Sequence, residues 1–229
     1  MEQSGAEVGV GWSSGRAAPI DRWDLSTRIA EPTDDLLSLQ PGRIVELAGT
    51  FGMGVTRLGY RLLAEPSRRA PVVLVDVHGW MSPEAAWESG VDGNRLVVVR
   101  CPDAGAWVRV VAALCEGIPA MVAEVPAGVG EREIRRLAAL VRARRARVAL
   151  RPLSGRLPVG VAHLQLEGRG VTWSGSDEGH GRLGRRHLVL EASGKGMAGM
   201  RRTIEVEDDG EGPVRVVPRV ASRPAGRAV

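Results

Sequence analysis

RIVELAGTFGMGVTRLGYRLLAE, residues Arg43–Glu65, runs from an apolar stretch through a cluster of glycines into a helical pattern. RIVELA reads as a short strand. TRLGYRLLAE sets Leu58 and Leu62 four apart, as one face of a helix requires. Between them, GTFGMGVT (Gly49–Thr56) nearly spells the phosphate-binding loop G-x-x-x-x-G-K-[ST]. Such a loop surrounds an anion with backbone N–H groups at a helix start, and its lysine and hydroxyl serve the phosphates and magnesium. Gly49, Gly52, Gly54 and Thr56 keep that geometry, but Val55 stands where the lysine belongs. Losing one charged hydrogen bond of roughly 1.5–3 kcal/mol weakens phosphate binding by about one to two decades. Catalysis suffers more, because the lysine also steadies charge developing on the transferred group. Arg57 is adjacent, but one step along a helix turns a side chain by about a quarter turn.

Outward from the loop, strands and helices alternate. PVVLVD (71–76), RLVVVR (95–100), PAMVAEV (119–125) and RVALRPL (147–153) are valine-rich runs typical of strands buried on both faces. SPEAAWESG has Ser82 as N-cap, Pro83 at the first helical position and Gly90 just past the end. DAGAWVRVVAALCEG begins at a capping Asp103 and stops at Gly117, and EREIRRLAALVRARR forms a longer helix. This rhythm predicts an α/β fold with a mainly parallel sheet flanked by helices. After about residue 160 it changes. GVAHLQLEG, RRHLVLEAS, MRRTIEVED and PVRVVP are strand-like runs with turns between them, so antiparallel hairpins should extend the sheet at its C-terminal part. The chain divides into an N-terminal arm (1–40), a core (41–166), a C-terminal β extension (167–218) and a disordered tail (219–229). The arm holds Trp12 and Trp23 as anchors and a short helix begun by Thr33 or Asp34 and ended at Pro41-Gly42.

The 229 residues, 44% hydrophobic, suffice for one substantial core. No apolar run reaches membrane-spanning length, and the N-terminus lacks the basic start and apolar stretch of a secretory signal. Cys101 and Cys115 are read as reduced core thiols. A cytoplasmic protein is expected. Of 31 Lys+Arg and 27 Asp+Glu, residues 151–229 hold 13 and 9, which leaves 18 of each elsewhere. The formal charge of +4 therefore resides in the last third.

Two basic groups follow. Arg132, Arg135, Arg136, Arg142, Arg144 and Arg145 crowd the helix whose apolar face is Ile134, Leu137, Ala138 and Val141, and a solvated flank is the simpler reading. Arg182, Arg185, Arg186, Lys195, Arg201 and Arg202 form the better candidate surface for DNA or a partner, since arginine forks grip phosphates and glycines allow close approach. With one Tyr and one Phe in the chain, a base-stacking platform is not expected, and DNA contact would run through the backbone. His78, His163, His180 and His187 share no metal-ligand spacing, and no metal is expected. Asp76 and Glu124 end two strands. Glu124 is placed to hold magnesium if the loop works, and both are polar strand ends at the sheet rim if it does not.

GRIVELAGTFGMGVT resembles the phosphate-loop entry of RecA recombinases. The spacing from Asp76 through Pro83 to Gly90-Val91-Asp92 and Pro102-Asp103 is similar to the RecA stretch that follows, over roughly residues 40–150. The resemblance implies that the core is RecA-like. By its spacing His78 falls where RecA has the glutamate that activates water, and Glu124 takes the place of the magnesium-side aspartate. Only a few residues separate RVALRPL from GVAHLQL, where recombinases carry a long DNA-binding loop. Downstream, EGHGRLGRRHLVLEASGKGMAGMRRTIEVEDD is similar to the C-terminal part of ImuA-type proteins, especially the shortened actinobacterial form. Arginine is used almost exclusively, with Lys195 the single lysine, as a GC-rich genome would favour. The resemblance implies a non-catalytic adaptor in SOS-induced, error-prone translesion DNA synthesis, docking an ImuB-like inactive Y-family polymerase and a DnaE-type polymerase. No cofactor is then expected, with weak ATP and magnesium binding left open. Two alternatives stay open: a nucleotide-dependent DNA-binding ATPase of the RecA type, and a SulA-like inhibitor of cell division.

Overall fold

The computed structural model describes residues 37–175, 184–209 and 215–217, the last for backbone only. The expected helix from Thr33 or Asp34, the anchors Trp12 and Trp23, Arg182, His180 and the tail at 219–229 lie outside the described residues.

The strands are β1 (Ile44–Ala48), β2 (Val72–Asp76), β3 (Leu96–Arg100), β4 (Ala120–Val125), β5 (Arg147–Pro152), β6 (Leu164–Ser174), β7 (Arg185–Ser193), β8 (Arg202–Asp208) and β9 (Arg215–Val217). The helices are α1 (Val55–Ser67), α2 (Pro83–Glu88), α3 (Ala104–Gly117) and α4 (Glu131–Arg144). Among the described residues they build one sheet in the order β3-β2-β4-β5-β1-β6-β7-β8-β9. Every pairing from β3 to β6 is parallel, and those from β6 to β9 are antiparallel. The expected α/β architecture is observed, with its hairpins at one side.

Burial explains the strand order. β1, β2 and β4 are buried at every position, so they must be interior. β3 has no buried position and forms an edge. Alternation along each strand then feeds two cores. Val45, Leu47, Val72, Leu74 and Val122 meet Leu58, Leu62 and Leu63 of α1 and Ala86 of α2 on one face. Ile44, Val73, Val75, Val148 and Leu150 meet Trp107, Val111 and Cys115 of α3 and Ile134, Leu137, Ala138 and Val141 of α4 on the other.

Local signals set the helix ends. The Ser82 hydroxyl accepts from the Ala85 N–H at 3.1 Å, and the Asp103 carboxylate from the Gly105 N–H at 2.8 Å, each satisfying a donor that the helix leaves open.

The extension is continuous with the core. Residue 166, taken as the last of the core, lies inside β6, which pairs with β1 on one side and β7 on the other. Leu164, Leu166, Leu188, Leu190, Ile204 and Val206 join the same apolar cluster as α1, so the hairpins share a core with the glycine loop. A bulge between Gly168 and Gly170 shifts the register of β6. Beyond it Val171 and Trp173 lie opposite Leu188 and Arg186, on the face that looks toward α1.

Candidate functional site

The loop between β1 and α1 takes a left-handed backbone at its glycines. Gly54 caps α1 at φ 67°, and Gly52 has φ 85°. Val55 does not face an open cradle. It is 3% exposed, and a Cβ on Gly49 or Gly168 would stand 2.9 or 3.2 Å from its Cγ2. The position that carries lysine in the motif here nails the loop to β1 and β6 by apolar contact.

A cation does enter the loop, from another strand. Arg151 on β5 is 7% exposed, and its Nη1 donates to the Thr56 hydroxyl at 2.8 Å and to Glu124 Oε1 at 3.1 Å. Glu124, fully buried at the end of β4, also accepts from Trp80 Nε1 at 2.6 Å and from the Val77 N–H at 3.0 Å. Three donors satisfy its charge. Asp76, also fully buried, turns the chain after β2: its carboxylate accepts from the N–H groups of Gly79 (2.8 Å), Trp80 (3.3 Å) and Met81 (3.3 Å). Tyr60 lies beneath them in α1, where burial first, then the nearby Asp76 and Glu124 charges, push its hydroxyl up to about 12.

The donor set does not fit magnesium-bound nucleotide. Magnesium needs a free hydroxyl or carboxylate in an open shell. Here Thr56 and Glu124 are tied to each other through one guanidinium, which also brings a positive charge to where the metal would sit. His78, which the resemblance set at the place of a water-activating glutamate, is exposed and meets the Trp80 ring edge to face at 4.4 Å.

The mouth of the loop is aromatic. Phe51 and Trp80 meet at 5.0 Å with their planes at 66°, and the Arg151 guanidinium lies 5.4 Å from the centre of the Phe51 ring. Behind the loop a second ion network joins the extension to α1. Asp208, 4% exposed, meets Arg57 Nε at 2.7 Å and pairs with Arg186. The Arg186 guanidinium lies 3.0 Å from where a Gly54 Cβ would stand.

The arginine cluster expected from sequence is not one patch. Arg185 and Arg186 begin β7, opposite Ser174 and Trp173. Lys195 sits on a 3₁₀ turn (Lys195–Met197) after β7, and Arg202 lies opposite Ala192 at the far end of that strand. Eight residue steps along β7 separate the groups by about 27 Å. Arg201 pairs with Glu191 at 3.1 Å. On α4 the apolar stripe is buried as expected, and Arg135 and Arg144 pair with Glu131 and Glu116 on the exposed flank.

The sequence reading missed Arg151, Trp80 and Phe51. A usable signal was present: RVALRP carries an arginine one place before its end, as AMVAEV carries Glu124, and the register pairs these two residues directly. Among the described residues no group of His, Cys, Asp and Glu could hold a metal, and no helix is long and apolar enough to cross a membrane. Both cysteines are buried, and burial pushes the Cys115 thiol up to about 11.

No curated protein matches this chain. Residues 36–154 match the family described as the MT3502 N-terminal domain, a span that takes in β1 to β5 and just over half of the chain. By that match the chain belongs to the MT3502 N-terminal domain family.

Proposed function

We propose that this protein is a non-catalytic, RecA-like adaptor of the ImuA type, acting in the cytoplasm in SOS-induced translesion synthesis. It docks an ImuB-like inactive Y-family polymerase and a DnaE-type polymerase. The observation that carries the non-catalytic part is the Arg151 clasp on Thr56 and Glu124. Phosphoryl transfer works by placing metal and cation around the phosphates, with little other chemistry for the protein to do. A loop whose hydroxyl and nearest carboxylate are both committed to an internal arginine, and whose lysine position is packed shut, has nothing left for that task. The adaptor part is supported by the resemblance of Gly42–Thr56 to a recombinase entry and of the C-terminal run to ImuA-type proteins.

The test uses the full chain. ATP turnover is measured with and without single-stranded DNA, and complexes with the two polymerases are sought by size exclusion. Background hydrolysis and co-elution with the Y-family partner are expected. Turnover stimulated by single-stranded DNA to a recombinase-like rate refutes the non-catalytic part, and separate elution of all three proteins refutes the adaptor part.

A further inference from the structure

Three exposed aromatic side chains that are far apart in sequence gather at the C-terminal ends of the parallel strands. Phe51 in the glycine loop is 64% exposed, Trp80 after β2 is 47% exposed, and Trp173 near the end of β6 is 50% exposed. Their contacts form a continuous track. Trp173 lies 5.4 Å beneath the Arg186 guanidinium, Arg186 rests on Gly54, and the same loop carries Phe51 to Trp80 and His78. The bulge at Gly168–Gly170 is what turns Trp173 toward this side; an unbroken strand would point it to the opposite face.

Most carboxylates along the track are already matched: Glu124, Asp208 and Asp76 are buried, the first two paired with arginine and the third held by backbone N–H groups, and half-exposed Glu88 is paired with Arg57, while Asp209 is exposed next to Asp208. Exposed Arg100 packs on the Gly79 turn beside Trp80, and exposed Arg185 adjoins Arg186 at the other end. Flat rings with cations at both ends suit a ligand that has planar faces on an anionic backbone. An apolar peptide would cover the rings and leave both arginines unanswered. A duplex hides its base faces in its own stack.

We propose that this track binds single-stranded nucleic acid, stacking bases on Phe51–Trp80 and on Trp173 while Arg100 and Arg185 take phosphates. It goes beyond the adaptor reading and does not depend on it, since no polymerase is needed for the contact.

The test is fluorescence anisotropy of the full chain with a labelled oligothymidylate of about 20 nucleotides, long enough for one such site. Phe51→Leu and Trp173→Leu should each weaken binding about 5- to 150-fold, the range measured for removing one stacking ring. Phe51→Trp should retain affinity, because it keeps a π-face. Arg100→Ala should lower the salt slope by about 0.7, the value for one phosphate on a single strand. Val159→Ser, exposed beside Arg135 of α4 on the other face of the sheet, serves as the control and should bind as the wild type. Phe51 makes no hydrogen bond that its loss could break, and matched melting curves confirm that each variant folds. Equal affinity for duplex, or unchanged binding by both leucine variants, overturns the proposal. So does no oligonucleotide binding at all; if the leucine variants then lose a polymerase complex, the track is a protein-docking surface. Oligonucleotide binding bears neither on ATP turnover nor on co-elution with the polymerases, so the adaptor reading stands or falls separately.

Discussion

Replacing Arg151 with alanine tests the central geometry. Its side chain is 8% exposed, and the Glu124 side chain it faces is fully buried. The variant leaves Glu124 with two donors, Trp80 Nε1 and the Val77 N–H, and strips the Thr56 hydroxyl of its partner. Breaking one side of a buried pair costs about 3–5 kcal/mol, because the remaining charge is stranded. The two surviving donors place the loss at the lower end, about 3 kcal/mol. In a chain of this size, melting should fall by about 6–12 °C. With a urea slope of about 3 kcal/mol per molar, the midpoint should fall by about 1 M. The double variant Arg151→Met with Glu124→Gln removes both charges at similar volume. It should recover more than half of the loss, since an apolar replacement for a buried pair is close to neutral. The assay is urea unfolding of wild type, Arg151→Met, Glu124→Gln and their double variant as the cycle, with Arg151→Ala beside them, followed by tryptophan fluorescence. An Arg151→Ala midpoint within about 0.2 M of wild type, a loss below about 0.6 kcal/mol at that slope, would refute the clasp. Strict additivity in the cycle would do the same.

Three further outcomes follow from neighbouring contacts. Val55→Lys should not create nucleotide binding, because Thr56 and Glu124 stay bound to Arg151; it should instead destabilise the chain by about 2 kcal/mol or more as an ammonium enters an apolar seam. Saturable Mg-ATP binding by calorimetry would contradict this. Gly54→Ala forces a side chain to φ 67° and onto Leu188 at 2.9 Å, whereas Gly52→Ala, at φ 85°, meets nothing within 4 Å. Both bear a backbone penalty of about 1–2 kcal/mol, so only the first should melt still lower, and equal melting temperatures would show that Gly54 is not a packing point. For His163, burial first, then the Arg43 and Lys195 charges, hold the imidazole below its usual value. Its folded pKa is the lower one, so its contribution is present above the unfolded value of about 6.5 and is lost as pH falls toward the folded value. Urea midpoints of wild type should therefore drop more steeply than those of His163→Gln between about pH 7.5 and pH 5, and parallel curves would refute the assignment.

The sequence alone determined what neighbouring residues decide. Apolar periodicity located β1 to β5 and the four helices, Ser82 and Asp103 marked helix starts, and the glycines of GTFGMGVT marked the loop between β1 and α1. Those features depend on φ/ψ preferences and side-chain spacing within a few residues. Tertiary structure alone decided what the loop became. Arg151 reaches Thr56 across 95 positions because β5 lies between β1 and β4 in the sheet, an order that no local pattern encodes. The same limit misjudged both surfaces. Of the basic residues that look like one cluster, Arg185 and Arg186 are carried to one end of β7 and Lys195, Arg201 and Arg202 to the other, and three aromatic residues that look scattered are drawn to one rim. Periodicity says which side of a strand is apolar; only strand order, register and a one-residue bulge say which side chains from distant strands share that side.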